Sequence, residues 1–147
     1  MIGIIVTGHG HFATGLINAL ELLAGAAEAL EAVDFEGSRS GEELGEAILA
    51  AAAKMDDGNG ILIMTDLRGG TPFNISTQLS MGKCKNLEVV AGSNLPMLLE
   101  AYMSRSSVDN AAVLAQQITD SGKEQIIYFE KTFDFASDDD DDEIELD

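Results

Sequence analysis

Three groups of residues in this 147-residue chain carry recognisable chemistry: His9 between Gly8 and Gly10, Asp66 after an apolar run, and the stretch Gly69-Gly70-Thr71-Pro72. Imidazole suits reversible phosphoryl chemistry, because one ring nitrogen keeps a lone pair while the other can give its N–H to a carboxylate. The lone pair must face phosphorus. The carboxylate fixes the tautomer and supports positive charge developing on the ring. His9 is the candidate nucleophile and Asp66 its candidate partner. The glycines beside His9 let the backbone bend and present the ring. Backbone N–H groups at Gly69, Gly70 and Thr71, at the start of a helix, could cradle phosphoryl oxygens, with the Thr71 hydroxyl as a further donor. Taken alone, Gly-Gly-Thr-Pro reads at least as well as a tight turn with a helix cap.

Other residues near these positions leave alternatives open. His11 is one of only two histidines. It could join His9 and Asp66 as a metal ligand, tune the site, contact a partner, or be an ordinary polar residue at a helix start. A two-residue spacing with no further histidine or cysteine cluster is weak support for a metal, so none is assigned. Arg68 is a candidate phosphate or partner contact, or a surface arginine without special role. Asn94 either orders the rim by hydrogen bonding or caps the helix after it. Cys84 reads as a bystander.

The elements that must position these groups alternate between strand and helix. Ile2 to Val6 is a β-branched apolar run, a buried strand. From Phe12 to Leu23 the spacing is helical, with Phe12, Leu16, Ala19, Leu20 and Leu23 on one side. LEAVDF (Leu30 to Phe35) is a second strand, and Glu42 to Lys54 a helix facing the sheet through Leu44, Ile48, Leu49 and Ala52. Ile61 to Met64 is a third strand. A helix then starts around Thr71, with Thr71 as N-cap and Pro72 in its first position, and runs to Met81. Leu87 to Ala91 is a fourth strand, with helices from Leu95 to Met103 and from Asn110 to Thr119. Gln125 to Phe129 reads as a last strand. This alternation predicts an α/β fold: a doubly wound, mostly parallel sheet with helices on both faces. In such a sheet ligands sit beyond the carboxyl ends of the strands, which would bring His9, Asp66 and Asn94 to one rim.

Charge and composition exclude several classes. A net charge of −18, from 26 acids and 8 bases, opposes binding to nucleic acid or to anionic lipid. A single cysteine gives neither an internal disulfide nor a thiolate metal cluster. The opening MIGIIVTGHG reads as a strand rather than a signal peptide, and no stretch approaches about 18 unbroken apolar residues. A soluble intracellular protein is expected. Residues 1–136 are expected to form one domain and the acidic residues 137–147 a disordered tail.

The segments IIVTGHGHFATGL, ILIMTDLRGGTPFN and VVAGSNLPMLLE, with their spacing, resemble the IIA domain of the mannose family of bacterial sugar phosphotransferase systems. The resemblance spans most of residues 1 to 130. It implies a four-stranded parallel sheet with an additional antiparallel strand, residues 125–130, exchanged in a homodimer. It also implies a cytoplasmic phosphotransferase component with a phosphohistidine intermediate. His9 would accept a phosphoryl group from HPr and pass it to a IIB component, coupled indirectly to the IIC and IID membrane components. Asp66 would hydrogen-bond the histidine, and Gly69 to Phe73 would line the phosphoryl site. No cofactor, nucleotide or magnesium is required. Arg68 stands where relatives often carry an aromatic or aliphatic residue. A phosphotransfer subunit of a dihydroxyacetone kinase is the nearest alternative. A metal-dependent hydrolase using His9, His11 and Asp66, or a nonenzymatic regulatory protein, accounts for the three linked loops less economically.

Overall fold

A computed structural model describes residues 1–82, 84 and 86–131. The chain order is β1 (Gly3–His9), α1 (Phe12–Ala24), β2 (Leu30–Phe35), α2 (Gly41–Met55), β3 (Ile61–Thr65), α3 (Thr71–Met81), β4 (Leu87–Val90), α4 (Leu95–Ser104) and α5 (Ala111–Glu124). The four strands form one parallel sheet in the order β2-β1-β3-β4. The doubly wound α/β sheet expected from the alternation of apolar runs is therefore present. The tail assigned to 137–147 and the end of the 1–136 domain lie outside the described residues.

Continuous apolar runs become central strands because both sheet faces are covered. Every residue of β3 and all but the last of β1 are buried. Side-chain alternation divides the core in two. Ile4, Val6, Leu62 and Met64 pack with residues of α1, α4 and α5. Ile5, Ile61 and Ile63 pack with Leu44, Ile48 and Ala51 of α2, and with Ile75 and Leu79 of α3. Losing one of these branched side chains to alanine costs about 2–5 kcal/mol in a close-packed interior.

The helical faces differ from expectation in detail. The stripe on α1 is centred on Ala13 and Leu20, with Phe12, Leu16 and Ile17 packed beside it. Leu23, at the stripe's edge, is 61% exposed, and Ala19 is only partly buried. On α2, Leu44, Ile48 and Ala52 are buried as expected, but Leu49 is exposed. At about 100° per residue it lies roughly 140° around the helix from Leu44. Cap chemistry sets the helix starts. Ser40 and Glu43 form a capping box on α2, and Asn94 and Asn110 accept from Met97 and Val113 N–H.

Among the described residues the sheet of this single chain has four strands, and Gln125–Phe129 is not one of them; the exchange that the resemblance implies would need a second chain. Gln125 instead closes α5, its N–H donating to the Gly122 and Lys123 carbonyls. Ile126, Ile127 and Tyr128 follow at 74%, 76% and 85% exposure. An extended segment becomes a strand only by pairing with a neighbouring edge, and the sheet among the described residues does not include this segment. Among the described residues both outer strands, β2 and β4, carry one side without a neighbouring strand.

Sheet order also fixes where chemistry can sit. β1 leads to β2 on one side, and β3 then returns to the other side of β1. The crevice between β1 and β3 is the topological switch point, the usual ligand position in an open parallel sheet. In register, Thr7 faces Thr65 across that crevice and His9 faces Phe35 on β2.

Candidate functional site

His9 is the last residue of β1 and Asp66 the first residue after β3, so the two parallel neighbours deliver them to the same rim. The Asp66 carboxylate takes two bonds from His9 on one oxygen: from the backbone N–H at 2.8 Å and from ring Nδ1 at 2.7 Å. Its other oxygen accepts from the Leu67 N–H at 2.7 Å. Burial alone would raise the Asp66 pKa, but these bonds from His9 and Leu67 outweigh it and hold the group below the usual carboxylate range. An ionised carboxylate can only accept, so Nδ1 carries the proton, and in the neutral ring the lone pair is left on Nε2. The His9 side chain is 48% exposed while Asp66 is 14% exposed. The orienting carboxylate is held in the rim, while about half of the imidazole side chain is open to solvent.

Two further contacts fix the ring. Phe35 lies across it, ring centroids 5.9 Å apart at 74°. A Cβ on Gly70 would stand 2.8 Å from His9 Cε1 and 3.5 Å from Nε2, so the ring edge can lie there only against a glycine. Gly8 is similar on the other side: a Cβ there would meet the Asp66 carboxyl carbon at 2.9 Å. Sequence reasoning gave Gly8 a role in bending the backbone rather than in making room for Asp66, and it did not single out Phe35. Gly8 was visible in TGHG, but Phe35 is brought to His9 only by strand register.

The loop after Asp66 is a tight turn. The Gly70 N–H donates to the Leu67 carbonyl at 3.0 Å, with Gly69 at φ +84° in the position that favours glycine. Asn74 Nδ2 donates to the Gly69 carbonyl at 3.0 Å and holds the turn against α3. This corrects two expectations. The N-cap of α3 is Gly70 rather than Thr71, because the Gly70 carbonyl already accepts from Asn74 N–H at 2.9 Å. The Gly70 N–H, spent inside the turn, is no anion donor. Pro72 has none to offer, which leaves the N–H groups of Thr71 and Phe73 as orphan donors of the first turn. The Thr71 hydroxyl, released from capping, makes no hydrogen bond with the described residues.

His11 turns away from this site. Its Nδ1 lies 3.3 Å from Asp34 and 3.5 Å from Glu36. Asp34, on β2, also accepts from the Thr14 N–H at 3.0 Å and from the Thr14 hydroxyl. It serves α1 as an N-cap supplied from another element, since His11, the N-cap by position, makes no side-chain cap bond. His11, Asp34 and Glu36 place ligating atoms within 4.8 Å of one another, but both Asp34 oxygens are already engaged. The trio His9, His11 and Asp66 is split between two carboxylates, so it does not converge as a single metal site. Asn94 caps α4 through Met97 N–H at 2.9 Å. Arg68 is exposed and makes no hydrogen bond or ion pair with the described residues. A groove of about 580 Å³ runs beside β2 and α2, lined by residues including Asp34, Arg39, Glu43 and Lys54; His9 is not in its lining.

An oriented imidazole on an open rim, beside the free N–H groups of a helix start at the sheet's switch point, defines a candidate histidine site for an anionic group. Residues 3–118 match the family model described as the PTS system fructose IIA component. The chain belongs to that family, the IIA components of mannose- and fructose-type sugar phosphotransferase systems. It is 34% identical over 125 residues to the mannose-specific EIIAB component of Escherichia coli K12, covering 85% of this chain but only 38% of that protein. It is 35% identical over 105 residues to the sorbose-specific EIIA component of Lacticaseibacillus casei, covering 71% of this chain and 75% of that one. The crystal structure of the EIIA component from Streptococcus agalactiae superposes with a TM-score of 0.80 at 36% identity, covering 87% of this chain and 97% of that one. No helix among the described residues is long and apolar enough to cross a membrane.

Proposed function

We propose that this chain is a cytoplasmic phosphocarrier of a sugar-uptake system. His9 takes a phosphoryl group from phospho-HPr and passes it to a IIB component, which couples to the IIC and IID membrane components. The observation that carries this reading is the 2.7 Å contact between His9 Nδ1 and Asp66, which leaves Nε2 as the free nucleophile beside the start of α3. In the first step the Nε2 lone pair attacks phosphorus in line. The new N–P bond forms as the bond to the donor histidine breaks, and that histidine recovers its lone pair. Asp66 supports the positive charge gained by the ring. The Thr71 and Phe73 N–H groups and the Thr71 hydroxyl neutralise the transferred oxygens, with Gly69 and Gly70 shaping the approach. The second step is the same exchange with IIB as acceptor. An exposed His9 on an open rim suits a protein donor and acceptor better than a small substrate enclosed in a cavity. The exchange requires no metal or cofactor.

Family membership favours a sugar system over the dihydroxyacetone-kinase alternative, whose phosphorylated histidine would serve a different acceptor. Division of the two histidines between Asp66 and Asp34 disfavours the metal-dependent hydrolase. A regulatory protein without transfer would have no use for a histidine so oriented. The exposed Ile126-Ile127-Tyr128 segment supports a homodimer in which residues 125–130 pair with a sheet edge of the second chain, β4 having its outer side open.

The test is phosphoryl transfer from phospho-HPr, followed by intact-mass detection under conditions that preserve phosphohistidine. One labile phosphoryl group on the protein, absent in His9→Ala and discharged by cognate IIB, is the expected result. Discharge only by a dihydroxyacetone-kinase subunit would select the alternative, and no adduct with active HPr would overturn both.

A further inference from the structure

We propose that Arg68 is an anion clamp for the phosphorylated state of His9, closing over the phosphoryl group once it is present. The inference rests on His9 as the phosphorylated residue. It adds a charge partner that the unphosphorylated protein leaves unused.

Three observations carry it. The first is placement. Leu67-Arg68-Gly69-Gly70 is a β-turn closed by the 3.0 Å Gly70-to-Leu67 bond, with Arg68 in its second position. Two residues further on, Gly70 lies against the His9 Cε1–Nε2 edge. The turn is tied down at Asp66, Leu67 and Gly69, so the long Arg68 side chain swings from a fixed base next to the reactive nitrogen.

The second is charge. A phosphoryl group on Nε2 brings close to two negative charges into a rim that already holds Asp66, Asp34 and Glu36, in a chain of net charge −18. The other described bases are committed or are not joined to this rim. Arg39 donates to the Asp34 carbonyl, Lys54 pairs with Glu31, and Arg105 is buried against the carbonyls of Ile2, Glu28 and Ala29. Lys123 lies in the last turn of α5 and Lys131 beyond it. Arg68 is exposed and uncommitted among the described residues.

The third is the shortage of donors at the helix start. With the Gly70 N–H spent and no N–H on Pro72, only Thr71 and Phe73 offer backbone donors in that turn. Three phosphoryl oxygens, each able to accept more than one hydrogen bond, exceed what those two N–H groups and the Thr71 hydroxyl supply. The guanidinium has paired N–H groups that match two of them.

The experiment avoids any dependence on HPr. His9 is phosphorylated chemically with phosphoramidate in a His11→Gln background, where it is the only imidazole. The second ionisation of the phosphoryl group is followed by phosphorus NMR, and hydrogen exchange at the Arg68 Nε–H by nitrogen NMR. A clamp stabilises the dianion, so Arg68→Gln is expected to weaken that acid about tenfold, with Arg68→Lys in between. Slowed Arg68 Nε–H exchange is expected only after phosphorylation. Ionisation that agrees within twofold between the Arg68→Gln variant and its parent overturns the clamp. So does unaltered ionisation with a salt-sensitive rise in KM for HPr or IIB, which would assign Arg68 to a partner carboxylate. If the clamp signature appears while HPr delivers nothing, the phosphocarrier reading fails and the Arg68 inference stands.

Discussion

Two histidine–aspartate pairs sit side by side on the same rim, and they are built for different ends. In His9–Asp66 the ring nitrogen and the carboxylate are 2.7 Å apart, and the same oxygen also receives the His9 backbone N–H. Histidine is the object of that arrangement: Phe35, Gly70 and Asp66 each constrain its ring. In His11–Asp34 the separation is 3.3 Å, and the carboxylate's shorter bonds go to Thr14. There the carboxylate is the object, closing the start of α1, and the histidine is an exposed attachment with its side chain 75% accessible. Proximity of a histidine to an acid is thus not what sets the candidate site apart. What marks it is how many independent elements hold the ring.

The largest expected break comes from Asp66→Asn. The amide cannot serve as a charged acceptor for Nδ1–H, so the tautomer is no longer fixed and ring charge loses its support. Uptake from phospho-HPr, measured by rapid quench, should fall about 100-fold. A fall of less than threefold would reduce Asp66 to the same rank as Asp34. Next is Gly70→Ala, whose methyl would stand 2.8 Å from Cε1. The ring must shift, and transfer should drop about 10- to 100-fold with secondary structure intact by circular dichroism.

Asp34→Ala should act on stability instead. Loss of the Thr14 bonds at the start of α1 is expected to cost about 1–2 kcal/mol in urea unfolding at pH 7, with transfer within threefold of the parent. The effect has a pH signature. Burial alone would raise the Asp34 pKa, but bonds from the Thr14 hydroxyl and N–H and from His11 hold it below the ordinary value. A depressed folded pKa gives stability that is present above the unfolded carboxylate value and disappears as pH falls through the folded one. The deficit of Asp34→Ala should therefore shrink as urea titrations move from pH 6 towards pH 3, and a constant gap would assign the bonds no ionic part. The smallest effect is expected from His11→Gln, about 0.5 kcal/mol or less and under twofold in transfer. A larger loss of transfer would make the two pairs one functional unit.

Much of the fold is legible in the chain alone. β-branched runs at Ile2–Val6 and Ile61–Met64 named the central strands, because residues buried on both faces leave no polar alternation. LEAVDF coincided with β2, and the Gly-Gly-Thr-Pro run marked the start of α3. The misses share a cause. Leu23 and Leu49 were placed on buried faces by spacing, yet which part of a stripe meets the sheet depends on helix docking. Gln125–Phe129 is a separate case: its composition is strand-like, but a strand also needs an edge to pair with, and the edge that the resemblance implies belongs to a second chain.

What the sequence by itself determined is the set of parts: residue types capable of phosphoryl chemistry, the strand endings that carry them, and a family pattern across most of the chain. Only the tertiary structure decided which parts meet. Register put Phe35 on the His9 ring, strand order gave His9 to Asp66 and His11 to Asp34, and turn closure withdrew the Gly70 N–H while leaving those of Thr71 and Phe73. The physical reason is that hydrogen bonds are exclusive and short-ranged, so a group's availability depends on neighbours within about 3 Å, whether the fold brings them from tens of residues away, as for His9 and Asp66, or a turn closes on them locally, as for Gly70 and Leu67.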